Sequence, residues 1–194
     1  MMDGTRRSFD LEAIRADFPI LSREVHGKPL VYLDSAASAQ KPAQVLDALM
    51  SAYQDTYANV HRGLHFLSEA STDLYEAVRG KVAGFIGAAS GDEIVLTSGA
   101  TMSLNLIARC WAQPRLQPGD EILISIAEHH ANIVPWQMVA EATGARVRAF
   151  TLEDDGAFSM ARLKAEMSEC TRIISVPHVS NVLGTVFPVA EIAE

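Results

Sequence analysis

The sequence predicts an α/β fold with a mainly parallel sheet covered on both faces, and three observations predict it. From Glu93 onward, short apolar runs alternate with amphipathic stretches: residues 94–96, 122–126, 146–151 and 172–176 read as strands, and about 101–113, 133–143 and 159–167 as helices. Alternation of this kind implies crossover units between parallel strands. Next, Pro118-Gly119-Asp120 is a turn signal that fixes where the apolar strand 121–126 begins. Finally, Ala127-Glu128-His129-His130-Ala131-Asn132-Ile133-Val134-Pro135-Trp136 places two histidines where that strand ends and a helix should start. Open α/β sheets bind their ligands at such strand ends, so the histidines are expected to face a crevice.

The elements before residue 93 are less regular. A short helix is expected over residues 10–18, with Asp10 as its cap and Pro19 beyond its end, and it reads as an arm or lid. Val31-Tyr32-Leu33 reads as a brief strand running into Asp34-Ser35-Ala36-Ala37-Ser38-Ala39, small residues that suit the wall of a ligand pocket. Pro42 fits the first turn of a helix through about residue 57, with Val45, Leu46, Leu49 and Tyr53 on one face. The loop Asn59-Val60-His61-Arg62-Gly63-Leu64-His65 separates it from a longer helix over about 68–86, whose Leu74, Val78, Val82 and Phe85 predict a buried stripe. No repeat, low-complexity tract or linker marks an internal boundary. The last residues, Ala190-Glu191-Ile192-Ala193-Glu194, read as the opening of another helix with no strand after it, so the domain reads as unfinished.

Composition narrows the function. The chain has 194 residues, 48% hydrophobic and 21% charged, with a formal net charge of −8 and a mean hydropathy of +0.10. That is one large domain or part of one. The acidic balance, with no basic cluster longer than Arg6-Arg7, argues against a nucleic-acid surface. No apolar run approaches the roughly 20 residues of a membrane helix, and residues 1–9 lack the apolar middle of a secretory signal, so the expected location is the cytosol. Cys110 and Cys170 have no metal-type spacing and read as buried or incidental thiols.

Three strand ends carry polar residues suited to chemistry. Thr97-Ser98-Gly99-Ala100-Thr101 joins a strand to a helix, where Gly99 allows a tight turn and the N–H groups of Ala100 and Thr101 form a phosphate cradle. The plainer role for Thr101 is an ordinary helix cap. His129 and His130 are adjacent and point in different directions, so one of them can face a bound ring, stack on it and shuttle protons. The plainer role is a histidine capping the next helix. A zinc site would recruit His61, His65 and His178, without clear ligand spacing. In His178-Val179-Ser180-Asn181-Val182-Leu183-Gly184-Thr185, Asn181 can donate to a phenolate-type oxygen or a carboxylate, or simply form a turn.

Together, Asp34-Ser35-Ala36-Ala37-Ser38-Ala39-Gln40-Lys41-Pro42, Val60-His61-Arg62-Gly63, Glu128 through Gln137 and His178 through Thr185 resemble the SufS-type (group II) cysteine desulfurases. These are class V aminotransferase-like enzymes of fold type I that use pyridoxal 5′-phosphate. The resemblance runs in order from Leu11 to the end of the chain. It implies a three-layer large domain, with residues 1–20 as a helical arm and 21–194 as the N-terminal part of that domain, incomplete at its C-terminus. It also implies that His129 stacks on the cofactor ring and assists proton transfers, Asn181 lies near the phenolate oxygen and substrate, Ala100 and Thr101 hold the phosphate, and Ala36 and Ala37 line the substrate side. His61 and Arg62 match a loop near the mouth of the site. The sequence departs from the family at Met102, where a glutamate is usual. The aspartate for the pyridine nitrogen, the Schiff-base lysine, the persulfide cysteine and the carboxylate-binding arginine have no counterpart.

In the complete enzyme the resemblance implies that the cofactor ring serves as an electron sink while an enzyme thiolate attacks the sulfur of L-cysteine. Alanine leaves, and the persulfide passes to a sulfur-acceptor protein of iron–sulfur cluster assembly. Family members are homodimers. This chain alone is expected not to turn over cysteine. The alternatives are a non-catalytic truncated product that serves as a dimerisation module, a selenocysteine lyase, and a metal-dependent hydrolase built on the five histidines other than His26.

Overall fold

A computed structural model describes residues 9–194; residues 1–8, which include Arg6-Arg7, the start of the expected arm and most of the stretch read for a secretory signal, lie outside the described residues. The chain folds into two compact units, Met1–Val95 and Leu96–Glu194.

In the first unit, α1 (Leu11–Ala16) begins where Asp10 accepts the Ala13 N–H at 3.0 Å, the cap expected from sequence. Two short antiparallel strands, β1 (Glu24–Val25) and β2 (Lys28–Pro29), are joined through His26 and Gly27, whose φ of 52° and 71° are what a two-residue primed turn requires. Helix α2 (Ala43–Ser51) starts behind Pro42 and runs on as a π-helical turn, Ala52–Thr56. Helix α3 (Phe66–Ile86) stops at the left-handed Gly87.

Two expectations for this unit fail. Residues 31–33 are not a strand, and Leu33 is 92% exposed; residues 94–96 likewise carry no ladder. A strand needs a neighbour for its N–H and C=O groups, and among the described residues neither segment has one. The apolar stripes of α2 and α3 also lie uncovered: α2 buries no residue, and α3 buries only Ser68 and Ala83 while Phe85 is 91% exposed. Helical spacing states which side is apolar, but burial needs a second element against that side.

The second unit is the α/β layer arrangement. Helix α4 (Ala100–Leu106) continues as a π-helical turn, Ile107–Ala112, followed by β3 (Glu121–Ser125), α5 (Val134–Thr143), β4 (Arg146–Phe150), α6 (Met160–Glu166), β5 (Thr171–Ser175) and α7 (Val189–Ala193). The sheet is parallel in the order β4-β3-β5. The chain steps from β3 to one side and then back across it, so crossovers of a single hand lie on opposite faces. Accordingly β3 is buried on both: Ile122 and Ile124 pack with Trp136, Val139 and Ala140 of α5 and with Ala108 and Ala112, while Leu123 packs with Phe150, Leu163 of α6 and Phe187. This explains why the strand reads as a continuous apolar run and not an alternating one. Because β3 and β5 are neighbours, the segments leaving their carboxyl ends emerge side by side.

Candidate functional site

The segment leaving β3 is set by three hydrogen bonds. Ala127 N–H donates to Ser125 Oγ at 3.0 Å, Asn132 N–H to the His129 carbonyl at 2.8 Å, and Ala131 N–H to His129 Nδ1 at 3.0 Å. The last two close a 3-10 turn, His130–Asn132, with His129 as its cap. The capping role is therefore real, and it coexists with exposure of the ring: His129 and His130 both line a cavity of about 330 Å³ with Thr101, Asn105, Ala131, Val134 and Pro135. Their rings stand at 83° to each other, 6.3 Å between centroids, so they present different surfaces, as adjacent positions predict.

Across that cavity lies the start of α4. Its N-cap is Gly99, at φ 151°, and no side chain caps the helix. Thr101 therefore is not the cap, and the N–H groups of the first turn are left for an external acceptor. The space a Cβ would occupy at Gly99 is open. Thr97 Oγ1 holds the turn from below, accepting the Gly99 N–H at 3.3 Å and lying 2.7 Å from Ser103 Oγ.

The segment leaving β5 is a tight turn carrying Asn181. Ser180, 3% exposed, donates from Oγ to the Ala127 carbonyl at 3.2 Å and accepts N–H groups of Val182 and Leu183. Asn181 is thereby tied beside the end of β3, with an exposed side chain, although neither it nor Ala100 is among the residues that line the cavity. Ala36 and Ala37 belong to the first unit, in an exposed turn held by Tyr32, whose hydroxyl donates to the Ser38 carbonyl at 2.6 Å.

The remaining candidates are used locally. His61 pairs with Glu76 at 3.3 Å and meets Tyr75 edge-on, while His65 caps α3. Among the described residues no three potential metal ligands come together, so the zinc alternative has no site there. Cys110 and Cys170 are both exposed, not buried.

Sequence reading passed over Glu128, Asn132 and Ser180. Burial raises the Glu128 carboxyl above its ordinary value, opposed by hydrogen bonds from the Asn132 side chain and the His129 backbone N–H, and its Oε1 has no partner. Asn132 Oδ1 accepts from Trp136 Nε1 at 2.8 Å and Ser175 Oγ at 2.7 Å. The only sequence signal was the run of polar residues inside an apolar frame, with Asn132 and Trp136 one helical turn apart.

Residues 31–194 match the family model described as aminotransferase class-V. The chain belongs to the class-V aminotransferase family. Within it, the chain is 53% identical over 182 residues to a cysteine desulfurase of Pectobacterium atrosepticum, covering 94% of this chain and 45% of that relative. A probable cysteine desulfurase of Synechocystis is 51% identical over 181 residues, 93% of this chain and 43% of its own length. Two solved structures are similar: the Escherichia coli cysteine desulfurase CsdA (TM-score 0.80, 40% identity, 96% of this chain and 46% of that one) and the Thermococcus onnurineus cysteine desulfurase (TM-score 0.84, 34% identity, 94% and 43%). The chain thus spans about half the length of the relatives it matches.

Proposed function

We propose that this chain supplies the phosphate turn and one ring-facing wall of a pyridoxal 5′-phosphate site in a cysteine desulfurase. The observation that carries the reading is that Thr101, at an uncapped helix start, and His129, beyond a parallel strand, line one cavity. The donor set fits the group: free N–H groups and the Thr101 hydroxyl suit a phosphate, and an exposed imidazole suits a flat heterocycle. When bound, pyridoxal phosphate supplies an electron-withdrawing ring that takes up charge from the substrate carbon. Ala100 and Thr101 bind the phosphate. His129 keeps Nδ1 on the Ala131 N–H, so Nε2 is the atom at which it holds or moves a proton. Asn181 donates its amide to the ring oxygen or to the substrate, anchored by Ser180.

In this proposal L-cysteine is the substrate, a sulfur-acceptor protein of iron–sulfur assembly receives the sulfur, and the complete enzyme is a cytosolic homodimer. Among the described residues no helix is long and apolar enough to cross a membrane. None of the four lysines, Lys28, Lys41, Lys81 and Lys164, lines the cavity. The chain alone should therefore bind the cofactor without covalent attachment. Titration with pyridoxal phosphate, followed by absorbance and fluorescence, is expected to saturate with no borohydride-stable lysine adduct. His129→Ala and Thr101→Ala should each weaken binding roughly tenfold, the scale of one hydrogen bond. Binding indifferent to both changes would sink the site. Release of alanine from cysteine or selenocysteine by this chain alone would overturn its expected inactivity.

The uncovered stripe of α2 supports a second reading, in which the first unit is an association surface. Sedimentation velocity at rising concentration tests it; a strictly monomeric chain counts against it.

A further inference from the structure

One residue connects all three elements around the His129 turn. Asn132 is 6% exposed, beside the buried Trp136. Its backbone N–H donates to the His129 carbonyl at 2.8 Å, and its side-chain oxygen accepts from Trp136 on α5 at 2.8 Å and from Ser175 on β5 at 2.7 Å. Both lone pairs of that oxygen are used, and the Asn132 side chain also acts on the Glu128 carboxyl, whose Oε1 has no partner. A polar node tied to the turn, to α5 and to β5 favours one arrangement, because shifting the turn breaks several bonds in a low-dielectric setting at once. The same turn places the Ala131 N–H 3.0 Å from His129 Nδ1. A nitrogen that accepts an N–H carries no proton of its own, so the neutral ring has its hydrogen on Nε2.

We infer that Asn132 is a positioning residue: it locks the turn that carries His129, so that the ring is held in one orientation and as the Nε2–H tautomer. The purpose of that lock rests on the proposed cofactor site, but its physical content does not. A ring whose Nδ1 is committed to the backbone has a single nitrogen available for proton exchange, and its face is presented to the cavity before any ligand arrives. Orientation prepared in this way is entropy that binding need not supply.

The test uses the full chain labelled with 15N-histidine, without ligand, at a pH where imidazole is neutral. Long-range 1H–15N correlations are expected to show His129 with an unprotonated, hydrogen-bonded Nδ1 and a protonated Nε2. A mixed or Nδ1–H tautomer in the unsubstituted protein overturns the inference. Asn132→Ala should convert the pattern to a tautomer average and weaken pyridoxal phosphate binding roughly tenfold. Val139→Ala, a cavity in α5 outside the network, should lower the melting temperature and leave the His129 pattern intact. If Asn132→Ala does not fold, Ser175→Ala removes a single donor and is read the same way. An unchanged His129 pattern in the folded variants assigns Asn132 to general stability and rejects the positioning role. A fixed tautomer with no cofactor binding in the unsubstituted chain rejects the proposed function and leaves this inference standing; cofactor binding with a mixed tautomer does the reverse.

Discussion

The two units use the same kind of apolar patterning and arrive at different ends. In Leu96–Glu194, β3 has a helix on each side of it, and its apolar residues reach nearly complete burial. In Met1–Val95, α2 is as periodic as any helix of the second unit and buries nothing. The difference lies in what each unit offers its own elements. A parallel strand comes with its crossover helices, so cover is supplied by the same run of chain. An amphipathic helix in a hairpin-and-helix unit brings one apolar side and no partner for it. Patterning therefore reports a demand for cover, and only topology reports whether the demand is met.

Stability measurements sharpen that contrast. Phe150→Ala, fully buried against Leu163 and Phe187, should cost about 3–5 kcal/mol in urea denaturation, the usual range for a buried aromatic truncation. Gly63→Ala probes the exception in the first unit, where a Cβ would collide with Ser68. Ser68 is itself fixed by its Oγ donating to the Asn59 carbonyl at 2.6 Å, so the loop should yield only at about 1–3 kcal/mol. Phe85→Ala, on the uncovered end of α3, should change stability by less than about 0.5 kcal/mol. A loss there comparable with Phe150→Ala would mean that the stripe is covered in solution and would erase the contrast.

The smallest expected effect is a pH dependence in the second unit. Burial holds the Glu128 carboxyl above its ordinary 4.5. The folded state thus keeps this proton more tightly than the unfolded chain, and the resulting stability is fully present below 4.5 and lost as pH rises through the raised folded value. Glu128→Gln should flatten the denaturation midpoint across that window. An identical slope in both proteins would show that Glu128 is solvated as an ordinary carboxylate.

Much of the second unit was legible. Pro118-Gly119-Asp120 announced β3, the run 133–143 became α5 within a residue, and the strand-end histidines did reach a cavity. His129 was legible because it follows a predictable strand, and Thr101 because Gly99 marks the start of its helix. Asn132 and Ser180 were not, since a buried polar residue looks like any turn residue until its acceptors are known. The strands expected at 31–33 and 94–96 failed for a related reason: a strand is a property of two segments, and sequence displays one.

By itself the sequence determined the apolar periods, the Asp10 cap, the turn before β3 and the order of strands and helices from β3 onward, because these depend on interactions within a few residues. It also determined family membership, through long motifs kept in register. Only the tertiary structure decided which apolar faces are covered, that His129 serves the backbone with one nitrogen while showing its ring to a cavity, and that Asn132 links α5, β5 and the histidine turn. Those outcomes depend on contacts between segments far apart in sequence, 43 residues from Ser175 to Asn132 and 53 from Ser180 to Ala127, and such contacts are fixed by how layers stack and not by any local pattern.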